Sequence, residues 1–184
     1  MDNKEMLKEL LMAEDVVGSI RKNIDNLIFI LPEIKDMIGF LHKHPHHHLD
    51  VWEHTLLALS LSPKNFDIRF ALLLHDIGKP HSFQEGDIRH FKGHAEKSKN
   101  ISQCIMVRLG FDKKYIEFIC KIVAKHDIPL TEQEIRGDLQ FSKVLFEVQK
   151  CDALAHNSDK NAKRLTYMSC VENWFDKFES KNNL

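Results

Sequence analysis

No stretch of this sequence approaches the ~18 consecutive apolar residues that a membrane-spanning helix requires, so the chain is expected to stay out of the bilayer. The opening Met-Asp-Asn-Lys-Glu lacks the apolar region of a secretory leader, which points to a soluble, cytoplasmic protein. Excess charge of either sign is missing too. With 26 Lys and Arg against 27 Asp and Glu, no global basic field argues for nucleic acid, although a local patch stays compatible. The four cysteines, at 104, 120, 151 and 170, contain no Cys-x-x-Cys pair, which removes thiolate zinc and redox motifs. Each lies in a helix-like pattern and reads as a reduced thiol. Convincing strand alternation, internal repeats and low-complexity linkers are also absent. What remains is an all-α bundle of about eight to ten helices.

At 184 residues and 43% hydrophobic, the chain suffices for one domain with a substantial core, and its twelve histidines stand out more than its charge. Leucines and isoleucines at helical spacing mark segments 4–17 and 20–31, separated by Gly18 and Ser19. Pro32 can open a third helix through Ile34, Ile38 and Leu41. Residues 1–44 carry no cluster of catalytic-type side chains and read as an N-terminal helical layer over a core at 45–157. The loop from His42 to His48 is dense in imidazoles. Because neighbouring loop residues often point apart, His42, His44, His46 and His47 read either as a metal cluster or as solvated surface. Helices are expected over 49–61, 93–109 and 113–125 and from 138 onward, with 81–92 a loop or small hairpin. A helix near 159–180, within a C-terminal segment 158–184, covers the core.

Chemistry is concentrated where polarity interrupts apolar helices. Residues 69–80, Arg-Phe-Ala-Leu-Leu-Leu-His-Asp-Ile-Gly-Lys-Pro, form an apolar run that ends on His75 and Asp76 and stops at Gly78 and Pro80. A buried carboxylate is costly unless paired or bound to a metal, so these two residues need partners from elsewhere. Adjacent residues leave a helix about 100° apart, so both can reach one ion from a helix end. The other candidates are His54, His94, His126 and Asp152, the last on one helix face with His156. Alone, a histidine inside an amphipathic helix such as His54 is more often a core residue or a support for a ligand than a ligand itself. Imidazole and carboxylate together suit a first-row divalent metal, and the lack of thiolates argues against structural zinc.

The order of these residues, His54 in Glu-His-Thr, then His75-Asp76, then a distant Asp152, resembles the HD-domain superfamily of metal-dependent phosphohydrolases. The segments His48 to Leu57, Arg69 to Pro80, Gly86 to His94 and Arg108 to Asp127 resemble the HD region found in bacterial CCA-adding tRNA nucleotidyltransferases. The resemblance covers roughly residues 45–157. It implies His54, His75, Asp76 and Asp152 as metal ligands, with His94 and His126 as additional ligands in a two-metal centre bridged by Asp76. For Asp152 the alternative is a helix-face salt bridge, and for His94 and His126 support of other ligands or substrate contact. The implied cofactor is one or two divalent ions among Fe, Mn, Ni, Co and Zn, with Mg also admissible.

The implied activity is metal-assisted hydrolysis of a phosphomonoester or phosphodiester, on a phosphorylated small molecule, a nucleotide or an RNA end. Asp76 and Lys79 are the catalytic candidates. Lys79, Arg89 and His90 are candidates for substrate phosphate or base, although helix-end and loop charges also serve solvation. His48, Asp50, Asp127 and His156 are candidates for orienting the ligands through hydrogen bonds. The sequence contains no nucleotidyltransferase head and no Gly-Tyr-Pro motif, and it is small for a dNTP triphosphohydrolase. A stand-alone HD domain is therefore expected, and CCA addition is not. The alternative is a nucleotide-binding regulatory module with little turnover, which ought to tolerate losses among the six ligand positions. None is lost.

Overall fold

The computed structural model describes residues 2–44, 48–157 and 162–182, so His46 and His47 of the histidine-rich loop lie outside the described residues. It is all-α. Among the described residues ten α-helices follow one another: α1 (Asn3–Leu11), α2 (Val16–Lys22), α3 (Ile24–Ile30), α4 (Val51–Ser60), α5 (Phe66–Leu74), α6 (His94–Arg108), α7 (Lys113–Lys125), α8 (Glu132–Gly137), α9 (Leu139–Leu154) and α10 (Ala162–Asn182). Among the described residues the only strand-like pairings are two isolated bridges, Leu41 with Asp50 and Gln84 with His90.

The central element is α5. Every residue from Ile68 to Leu74 is buried, which makes it a helix apolar all round, packed between α4, α7 and α9 with α1 behind. Its one interior charge, Arg69, is hydrogen-bonded: Nη1 donates to Leu11 O (2.7 Å) and Ala13 O (2.9 Å), and Nε to Ser62 Oγ (3.2 Å). That side chain fastens the turn after α1 to the core. The buried apolar residues from Leu7 to Phe175 form one contiguous cluster, so the N-terminal helices share the core that supports α5.

Several boundaries differ from the sequence expectation for identifiable reasons. The first break falls at 12–15, not at Gly18 and Ser19, because Asp15 caps α2 by accepting from Gly18 N (2.8 Å) and draws both residues into its first turns. Asn23, whose amide donates to Ser19 O (2.9 Å), then separates α2 from α3. The segment after Pro32 is only a 3₁₀ turn to Asp36. It ends before Gly39 at φ +74°, and Ile38 and Leu41 are exposed.

Helix α8 was not anticipated, although its start is written in Thr131 and Glu134, which form a reciprocal capping box. Lys125, at the end of α7, also donates to Glu134 and thereby ties α8 to α7. Hydrogen bonds from Lys125 and from the Thr131 backbone and hydroxyl hold the Glu134 carboxyl down to about 2. A depressed carboxyl stabilises the fold above its ordinary value of 4.5 and loses that contribution as pH falls towards about 2. Glu134→Ala is expected to cost about 1 kcal/mol at neutral pH. Thermal unfolding of the two proteins checks this, and the gap between them should narrow below pH 4.5.

Candidate metal centre

Three helix ends and two helix bodies converge on Asp76. His75 is the C-cap of α5, His126 the C-cap of α7, and His94 the first residue of α6, after Gly93 at φ +79°. His54 lies within α4 and Asp152 near the end of α9. The C-terminal ends of α5 and α7 carry partial negative charge, which favours a cation at this place.

The side chains fall into two groups that share one carboxylate. On one side His75 Nε2 is 3.2 Å and His54 Nε2 3.9 Å from Asp76 Oδ2. Asp152 Oδ1 closes this side, 2.8 Å from His54 Nε2 and 3.5 Å from His75 Nε2. On the other side His94 Nε2 and His126 Nε2 lie 3.4 and 3.7 Å from Asp76 Oδ1. His54, His75 and Asp76 have ligand atoms close enough to surround one ion, and so do Asp76, His94 and His126. His156 joins His54 and Asp152 in a third such group.

The other ring nitrogen of each histidine decides what these arrangements can do. Nδ1 of His75 faces Leu72 O (2.6 Å), that of His94 faces Phe91 O (2.9 Å), that of His126 faces Val123 O (2.7 Å) and that of His54 faces Ala155 O (3.3 Å). A carbonyl only accepts, so each Nδ1 carries the proton and donates it, and each neutral ring turns an Nε2 lone pair inward. Lone pairs of His94 and His126 then meet at 3.2 Å, and that of His54 meets a carboxylate oxygen at 2.8 Å. Such acceptor pairs need a cation or a proton between them. His75 Nε2 and Asp76 Oδ1 are buried without a hydrogen-bond partner, while Asp76 Oδ2 faces the Lys79 ammonium; the two unsatisfied atoms are costly in a protein interior unless an ion is their partner. The donor set therefore fits a divalent transition metal.

Electrostatics agree with the geometry. Burial opposes charge on Asp76, but His75 and Lys79 outweigh it and hold the carboxyl well below the usual range; His54 and His75 do the same for Asp152. Burial also opposes a charged His75, yet the two carboxylates push it up to about 10. A proton and a divalent cation are alternatives for that one lone pair, so metal binding here releases a proton. Burial brings His126 and His156 down to about 4, leaving neutral imidazoles with available nitrogens.

Lys79 is buried, its Nζ 2.6 Å from Asp76 Oδ2 and 3.0 Å from His42 Nε2. His42, whose Nδ1 donates to Leu49 O (2.9 Å), is brought down to about 3 chiefly by burial and then by Lys79, so its Nε2 accepts from the ammonium. The sequence left His42 between a metal cluster and solvated loop surface; 1% exposure makes it part of the interior. The backbone bond from Val51 N to Phe40 O and the Leu41–Asp50 bridge fold the loop inward there, a long-range effect without a local signal.

Above the centre opens a cavity of about 310 Å³, whose cationic lining is Lys79, Arg89, Lys92 and Arg164. His90, Asp127, Asp152 and His156 also line it. Arg89 faces the cavity but is held by Glu85, donates to Leu41 O (2.7 Å) and lies over the rings of Phe40 and Phe83. His156 donates from Nδ1 to Asp152 O (2.8 Å) and packs edge-on against His54. Two expected orienting residues are elsewhere. Asp50 caps α4 through Glu53 N (2.7 Å) and accepts from Gly39 N, while exposed His48 lines a separate groove with Leu49 and Glu53. Arg164, on α10, is a site-lining cation that no motif in the sequence marks.

Comparison with known proteins agrees with this geometry. The chain is 34% identical over 140 residues to the CC-adding tRNA nucleotidyltransferase of Thermus thermophilus, an alignment covering 71% of this chain and 32% of the relative. It is 31% identical over 144 residues to the A-adding tRNA nucleotidyltransferase of Deinococcus radiodurans, covering 73% and 33%. A Multifunctional CCA protein of Legionella pneumophila is 29% identical over 117 residues, covering 61% and 28%. The chain thus spans about a third of the length of the curated relatives it matches. The model of the HD domain matches residues 46–157, which contain all six clustered ligand candidates, and the chain belongs to the HD domain family of metal-dependent phosphohydrolases.

Proposed function

We propose that the protein is a metal-dependent phosphohydrolase that cleaves a phosphoester at a nucleotide or RNA terminus. The observation that carries this reading is the pair of ligand groups sharing Asp76, in which His75 Nε2 and Asp76 Oδ1 have no hydrogen-bond partner, under a cavity lined by four cations. In this reading His54, His75, Asp76 and Asp152 hold one divalent ion, and Asp76, His94 and His126 a second. A divalent ion supplies Lewis acidity that activates water and polarises a phosphoryl oxygen. The chain's own residues bind and orient. Lys79, fixed between Asp76 and His42, offers its ammonium to phosphate oxygens, and Lys92 and Arg164 add positive charge at the mouth. The helices before His42 act as a packing layer behind α5, without chemistry of their own, while His42 itself belongs to the site through Lys79. Relatives named as tRNA nucleotidyltransferases favour a nucleotide or RNA end over other phosphoesters.

The test pairs metal analysis of untagged protein with a screen of phosphomonoesters and 2′,3′-cyclic phosphodiesters. Turnover that disappears with chelator and returns with Mn, Fe, Co or Ni supports the reading. Stoichiometric metal and nucleotide binding with no hydrolysis of any substrate would instead make the chain a regulatory binding module. The second ion is tested by His94→Ala, which is expected to lower metal content by one ion per chain and slow turnover about 10- to 100-fold. Unchanged content in that variant would leave a single ion at His54, His75, Asp76 and Asp152.

A further inference from the structure

A second cavity of about 150 Å³ adjoins the metal cavity, and the two share His126, Asp127, Asp152 and Arg164 on their linings. Its character is different. Beyond the shared residues its walls are Ile128, Pro129, Ala153, Tyr167 and Met168 with Gln149, contributed by the turn after α7, the end of α9 and the first turns of α10. Ile128 is half exposed, an apolar side chain at the edge of an otherwise charged opening.

The polar groups of this slot are spent on its own walls. Gln149 Nε2 donates to Lys125 O (3.1 Å) and Ile128 O (2.7 Å), and its Oε1 accepts from the Tyr167 hydroxyl (3.2 Å). That hydroxyl in turn accepts from Leu130 N (2.6 Å). The turn carrying Ile128 and Pro129 is thereby pinned to α9 and α10, so the slot is preformed. What it offers a ligand is apolar contact, with charge only at the seam, from Asp127 and Arg164. A cation-lined metal site joined to a rigid apolar slot selects a ligand with a phosphate at one end and a flat, weakly polar group at the other. A sugar phosphate has nothing to place there, whereas a nucleoside phosphate has its base. The Arg164 guanidinium at the seam suits both, since its plane stacks on bases and its donors pair with phosphate.

We infer that this slot is a nucleobase subsite, lined by Ile128, Pro129, Tyr167 and Met168, which makes a terminal nucleoside phosphate the substrate class. The inference rests on the proposed phosphohydrolase reading for the position of the phosphate, but binding can be measured without turnover. Calorimetric titration of the metal-loaded protein should use the four nucleoside 5′-monophosphates, the four nucleoside 3′-monophosphates and ribose 5-phosphate. The nucleotides are expected to bind about tenfold more tightly than ribose 5-phosphate, the contribution of one stacked base. Ile128→Asp, at a half-exposed position, should bring that ratio close to one, and Met168→Ala should reduce it, with thermal unfolding confirming that both variants are folded. Equal affinity for nucleotides and ribose 5-phosphate, or a ratio unmoved in folded Ile128→Asp, would overturn the subsite even if both ligands are hydrolysed. A nucleotide preference without hydrolysis would uphold the subsite and remove the hydrolase reading. A short oligoribonucleotide with a 3′-phosphate supplies the last arm. Tighter binding than a 3′-mononucleotide places the base at an RNA end, equal binding places it on a free nucleotide, and either upholds the subsite.

Discussion

Asp76→Asn is expected to lose bound metal and phosphoester hydrolysis together, with kcat/KM falling by about three orders of magnitude or more. Asparagine keeps the size of the side chain and removes its charge, and Asp76 is common to the two ligand groups built on the HD pair. No other single substitution removes a ligand from both. It also leaves buried Lys79 beside a neutral amide, so a loss of stability of about 3–5 kcal/mol accompanies the change. Metal analysis and thermal unfolding separate these effects. For the natural protein, a divalent ion at a hundredfold excess over its Kd should stabilise by about 2.7 kcal/mol and raise the melting temperature by roughly 5–10 °C. Asp76→Asn, folded by circular dichroism, should show no such rise. A full complement of metal with retained turnover in this variant would refute the proposed centre.

The sequence carried the site further than it carried the fold's outline. The buried run ending on His75 and Asp76 could be read because a helix with no polar face must lie inside, and a carboxylate at its end then needs partners. The motif order brought His54, His94, His126 and Asp152 to the same place, and the structure draws them together around Asp76. Helix ends were harder. Gly18 looked like a break, but the Asp15 cap three residues earlier sets the start of α2, because a side-chain acceptor for orphan amides outweighs one unfavourable propensity. His42 and Arg164 could not be found from local pattern. One becomes interior because the loop after Gly39 pairs with the start of α4, and the other reaches the cavity because α10 packs near α8 and α9. Both depend on contacts between distant parts of the chain, which spacing does not encode. Asp50 shows the converse: beside a motif histidine it suggested a ligand partner, yet its side chain is committed to capping α4.

Gly78→Ala is expected to damage the centre from outside it, and the reason is room. Gly78 has φ −85°, a conformation open to any residue, so the backbone does not demand glycine. A Cβ there would lie 2.5 Å from Ser98 N, 2.7 Å from His94 O and 2.9 Å from Lys97 C. These are backbone atoms of the first turns of α6 and cannot rotate aside as a side-chain tip would. Gly78 N also donates to the buried Ser98 Oγ (2.9 Å), so the contact is both close and bonded. Relief requires α6 to shift away from the turn after α5, at a cost of about 1–3 kcal/mol. The shift carries His94, whose Nε2 lies 3.4 Å from Asp76 Oδ1, out of register with His126, while His54, His75 and Asp152 hang on other helices. The variant should therefore lose one ion where Asp76→Asn loses both, and its turnover should fall about 10- to 100-fold. Comparison with His94→Ala isolates the cause. Both variants should lack the same ion, but in the metal-free proteins only Gly78→Ala should lower the melting temperature, by roughly 2–12 °C. A Gly78→Ala protein with full metal content and unchanged melting temperature would show that α6 yields without cost, and that the glycine does not set the position of His94.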